Sequence, residues 1–61
     1  MSKNIENVVT ITTFSSAYNA HVESKIWLNR PRRLTLAGAE RIIRRERPTA
    51  NAISIEYLHR A

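Results

Sequence analysis

Residues Val8 to Phe14 read V-V-T-I-T-T-F, β-branched at six of seven positions and closed by an aromatic ring. Branching at Cβ suits a pleated, half-buried surface, so this run specifies a β-strand. Val9, Ile11 and Thr13 share one face of it, and Val8, Thr10 and Thr12 the other. A single strand cannot stand, because its backbone N–H and C=O groups need partners. The chain must therefore supply a second strand, either from its own length or from a second subunit.

Ile53, Ile55 and Tyr57 alternate with Ser54 and Glu56, which is the other stretch of clean period two. The same residues fit a short helix, with Ala50, Ile53, Tyr57 and Leu58 on one side and Thr49 as its cap. The unpaired first strand tips the balance for residues 50–59 towards strand. Between the two candidate strands, Tyr18, Val22 and Ile26 recur at i+4, and Ala17, Ala20, Trp27 and Leu28 widen the apolar arc. This pattern, with Ser15 or Ser16 as cap, predicts a helix over 15–28 that ends at Asn29-Arg30-Pro31. Trp27, the largest packing asset in the chain, is expected in the core, ahead of base stacking or a partner contact.

A second helix is predicted over 35–47. Thr35 is placed to cap it, and Pro48 stops it by lacking an N–H and disfavouring helical geometry at Arg47. Leu36, Ala39, Ile42 and Ile43 fall on one side, with Arg41, Arg44 and Arg45 almost opposite. Glu40 and Arg44 are spaced for an i,i+4 pair. Gly38 weakens such a helix, and its presence near the start points to a close approach by another backbone.

The chain has 61 residues and no cysteine, so it is one domain at most and has no disulfide to hold it. A chain this short buries only about 60% of its unfolded surface, and oligomerisation is the remaining way to stabilise it. Its 43% hydrophobic content is enough for a small core. The first residues, with a short threonine-studded apolar run, lack the shape of a signal peptide, and no apolar run approaches a membrane span. A cytoplasmic protein is the expectation.

Charge is the second constraint. Residues 30–47 carry seven arginines (Arg30, Arg32, Arg33, Arg41, Arg44, Arg45, Arg47) against Glu40 and Glu46, a surplus of five that equals the net charge of the whole chain. Arginine presents a planar fork of donors that suits phosphate and carboxylate better than lysine does. One arginine stripe alone is as well read as a solvated helix face. The upstream cluster of Arg30, Arg32 and Arg33 favours a binding patch for an anionic partner. Enzyme chemistry is not expected. His21 and His59 lie in different elements, no nucleophile or paired-carboxylate motif surrounds them, one glycine cannot build a phosphate loop, and no metal or cofactor set is present. Duplex DNA fits better than a single strand, because the four aromatics are not interleaved with the arginines. Thr10, Thr12, Asn51 and Ser54 are side chains of a type that can read base edges. An acidic protein surface, to which a small inhibitor or modulator would dock, is the alternative partner.

The run Val9 to Ser16, V-T-I-T-T-F-S-S, followed by a helix, a connector and a helix capped by Thr35, resembles the ribbon-helix-helix DNA-binding regulators of the Arc and MetJ type over about residues 8–47. In that family the strand pairs with its twin across a homodimer and the ribbon enters the major groove. The resemblance implies that Val8, Thr10 and Thr12 face the bases and that N–H groups around Thr35 and Leu36 hold a phosphate. It requires that strand 8–14 not be claimed within the chain by residues 53–58. The combined expectation is an α+β homodimer built from one small domain. Residues 1–7 are frayed, 8–14 a strand, 15–28 a helix, 29–34 a basic connector, 35–47 a helix and 50–59 a strand or short helix. Its expected function is DNA-binding regulation through Arg30, Arg32, Arg33, Arg41, Arg44 and Arg45.

Overall fold

The computed structural model describes residues 4–59 and consists of β1 (Ile5–Ser15), β2 (Ala20–Arg30), α1 (Leu36–Ile43) and β3 (Asn51–His59). The strands form an antiparallel sheet in the order β2-β1-β3. The expected two-helix α+β fold is therefore wrong: the described residues form a three-stranded sheet with one short helix.

The error lies in residues 15–28. Ser16–Asn19 is a tight turn in which Asn19 adopts φ 52, a left-handed conformation that asparagine tolerates better than most residues. The chain then returns as β2, in unbroken register from Ser15↔Ala20 to Ile5↔Arg30. Residues spaced i,i+4 also share a face in a strand, so Val22, Ile26 and Leu28 satisfy either geometry. What decides is the unpaired edge of β1, which a four-residue connection brings a partner to at little entropic cost.

Residues 5–7, expected to fray, belong to β1, and Asn7 is fully buried. Met1 to Lys3 lie outside the described residues. The C-terminal stretch is a strand. It pairs with β1 from Ile5↔His59 to Thr12↔Asn51, with an irregularity at Thr10/Ile11 where Ile53 is the extra residue. β1 is thus hydrogen-bonded on both sides, and the edge that a ribbon across a dimer would need is already occupied.

One face of the sheet is covered by the connector, α1 and the following turn. Val9 and Ile11 of β1 pack with Ala39, Ile43 and Ala50, bordered by Ile26, Leu28, Leu34, Leu36, Ala52 and Ile55. The predicted apolar side of the helix is the one that faces this core, with Ala39 and Ile43 buried and Leu36 and Ile42 half-buried. Thr35 caps α1 as expected, its Oγ1 accepting from Gly38 N at 3.0 Å. A Cβ at Gly38 would meet that same oxygen at 3.0 Å, so it is the cap rather than another backbone that comes close. The helix is shorter than 35–47. It ends at Ile43, and tighter bonds follow, from Arg45 N to Ile42 O and from Glu46 N to Ile43 O, as the chain bends before Pro48.

Among the described residues, the other face of the sheet has no covering layer. Trp27 lies there, 55% exposed, and the expectation of a core tryptophan is overturned because β2 places it on that side. Val8, in register between Trp27 and Glu56, is buried all the same. The β1–β2 hairpin outruns β3, giving an elongated molecule of 45 × 18 × 15 Å with Phe14, Tyr18 and Val22 exposed along the projection. Among the described residues, no helix is long and apolar enough to cross a membrane.

Candidate nucleic-acid interface

The basic segment is held in place by one buried side chain. Asn7 Nδ2 donates to Leu28 O at 3.1 Å, to Ile5 O at 3.2 Å and to Arg32 O at 3.3 Å, while its Oδ1 accepts from Leu34 N at 2.8 Å. Two of those four contacts reach the connector, so Asn7 ties residues 32–34 to the sheet. Tyr57 adds a second tie, its hydroxyl donating to Leu34 O at 2.6 Å. The Arg33 guanidinium lies over the Tyr57 ring, 5.3 Å from its centroid, with Nη2 3.2 Å from His59 Nε2. Sequence reasoning missed both Asn7 and Tyr57. The available signal was a polar residue directly before a β-run, which reads equally as a strand end.

The arginines do not form one uniform stripe. Arg41 points away from the core on α1, Arg45 sits in the turn beyond it, and Arg32 is exposed on the connector. None of these three side chains makes a hydrogen bond or ion pair among the described residues. Arg44 is committed to the fold. Its Nε donates to Ala50 O at 3.0 Å, and its Nη2 donates to Asn51 Oδ1 at 3.1 Å and lies 3.8 Å from Glu40 Oε2. Glu40 in turn accepts from Ala52 N at 2.8 Å, so the expected i,i+4 pair joins α1 to the start of β3. Arg30 bonds Asn29 O and, with Arg47, Glu46, Ile26, Leu28, Ile42 and Ile43, lines a shallow groove between β2 and the end of α1.

Six of the seven arginines lie in the connector, helix and turn above the covered face and Arg30 ends β2 beside them, with Glu40 and Glu46 the acids among them. Among the described residues, the open face carries Glu6, Glu23 and Glu56 against Lys25, a surplus of two negative charges. Glu6 is buried there and accepts from Asn29 Nδ2, and Lys25 lies 4.0 Å from Glu56, an exposed pair of little energetic weight. Thr10 and Thr12 lie on this acidic face, on the opposite side of the sheet from the arginines. Thr35 stands with the arginines, its hydroxyl engaged by Gly38. The structure thus gathers the arginines and Thr35 on one side and separates Thr10 and Thr12 from them.

No family model, no curated protein and no solved structure matches the chain significantly.

Proposed function

We propose that the chain is a small DNA-binding regulatory module that grips the phosphate backbone of duplex DNA through its helix-side layer, without catalysis. What supports the reading is the separation of charge among the described residues: seven arginines on one side of a thin sheet, and a net acidic surface on the other. Arg32, Arg41 and Arg45 are the principal phosphate contacts, because their donors are not spent among the described residues. Arg30 and Arg33 flank them. Arg44 serves the fold first, and the acidic open face turns away from the polyanion, taking Thr10 and Thr12 with it. Affinity on this basis comes from counterion release and is independent of sequence in its main term.

The test is fluorescence anisotropy against random duplex DNA over a salt series, for the wild type and for Arg32/Arg41/Arg45→Ala. Losing three phosphate contacts lowers the slope of log K against log salt by about 2.7. Binding by the wild type together with an unchanged slope in the variant refutes the assignment of these residues. No binding at low salt refutes the DNA reading and redirects the arginine face to an acidic protein surface.

A further inference from the structure

The two edges of the sheet are not alike. β3 is interrupted by the extra residue Ile53 and preceded by Pro48, features that discourage a further strand from pairing. β2 runs eleven residues without proline, glycine or bulge, and most of its side chains are exposed. A regular edge of that length offers a row of backbone donors and acceptors to another strand. We propose that the edge of β2 is a self-association surface, on which a second copy of this chain pairs antiparallel about Ser24 to make one continuous six-stranded sheet.

The side chains of β2 select both the occupant and the register. When a strand pairs antiparallel with its own copy, outward-facing backbone groups must meet their equals, so the dyad falls on a residue. Centred on Glu23 or on Lys25, the pairing sets like charges opposite one another. Centred on Ile26, it sets Ser24 against the partner's Leu28 and Val22 against the partner's Arg30. Centred on Ser24, Lys25 meets the partner's Glu23 twice by symmetry, Ile26 meets the partner's Val22, and Leu28 meets the partner's Ala20. Trp27 then meets the partner's His21, whose ring is already edge-on to Phe14 within each chain at 5.5 Å and 76°. Apart from Ser24 on the dyad, which meets its own copy, the cross-strand pairs of this register are opposite in charge, apolar against apolar, or aromatic against aromatic. It covers Trp27 and Val22, two of the exposed apolar side chains that the fold leaves without partners. A second copy supplies this match, because the sequence read backwards from Ser24 complements the sequence read forwards. The strand differs from the one that a ribbon-helix-helix dimer would use, and the inference does not rest on DNA binding.

The experiment is sedimentation of the full chain over a concentration series, with charge variants on β2. Glu23 and Lys25 are exposed, so Glu23→Lys and Lys25→Glu leave the fold intact, as circular dichroism checks. Each single change sets two like-charge pairs across the dyad and weakens the dimer by about tenfold or more. The combined exchange restores opposite pairs in reversed order and returns the dissociation constant to within about threefold of wild type. The chain has no cysteine, so Ser24→Cys places a single thiol at the dyad, and diamide oxidation then yields a covalent dimer, while Ala17→Cys at the hairpin tip does not. A monomer at all concentrations overturns the proposal. So does a dimer indifferent to the single charge changes, or one that the exchange fails to restore.

Discussion

Replacing Asn7 by alanine removes the tie between the sheet and the basic connector. Its amide nitrogen shares two hydrogens among three carbonyls and its oxygen accepts one bond, so the equivalent of three hydrogen bonds goes with it. The bond from Leu34 N at 2.8 Å is short and partly buried, and the three donated to carbonyls are longer, at 3.1–3.3 Å. A net worth of about 0.5–1.5 kcal/mol each, with the longer, shared ones at the low end and an orphaned Leu34 N–H added, gives a loss of about 2–4 kcal/mol. A domain of 61 residues has a total stability on the order of 3–9 kcal/mol, so the variant sits near the edge of folding. At a urea dependence of about 1 kcal/mol per molar for so small a chain, the unfolding midpoint falls by about 2–4 M. Urea titration by circular dichroism reads the midpoint, and amide exchange at Leu34 reads the local effect. A midpoint shift below about 0.5 M, or a Leu34 amide that stays protected, would refute the reasoning that Asn7 holds the connector.

Two further outcomes follow from individual contacts. Arg44→Ala is expected to cost about 0.5–1.5 kcal/mol in urea unfolding, since the bonds to Ala50 and Asn51 are half-exposed, while Arg41→Ala changes stability by less than about 0.5 kcal/mol; equal effects would contradict the division between structural and free arginines. At the hairpin, Asn19→Gly is expected to be near neutral and Asn19→Ala to lower stability by about 1 kcal/mol, because the left-handed backbone penalises a Cβ without the local bonding of an Asn side chain; thermal unfolding of both variants checks the order.

Local pattern alone determined several features of this protein. The β-branched run Val8–Phe14 could be little but a strand, Thr35 marked the start of the helix although its end at Ile43 fell short of Pro48, and its apolar residues named the buried side. These depend on Cβ branching, capped N–H groups and periodicity, which act within a few residues. The arginine concentration was equally legible, since it is a matter of composition. Tertiary structure decided the rest. Residues 20–30 satisfy both periods, and only the demand of β1 for a hydrogen-bonded neighbour made them a strand. That choice turned Trp27 from an expected core residue into a side chain on an uncovered face. It also set Thr10 and Thr12 on the opposite side of the sheet from the arginines with which they were grouped. Asn7 looked like a fraying end and became the buried anchor of the basic connector, because its four contacts reach residues as far as 27 positions away in sequence. Short-range stereochemistry writes elements into a sequence, whereas which backbone groups pair, and hence which faces are covered, is settled by contacts between residues far apart in the chain.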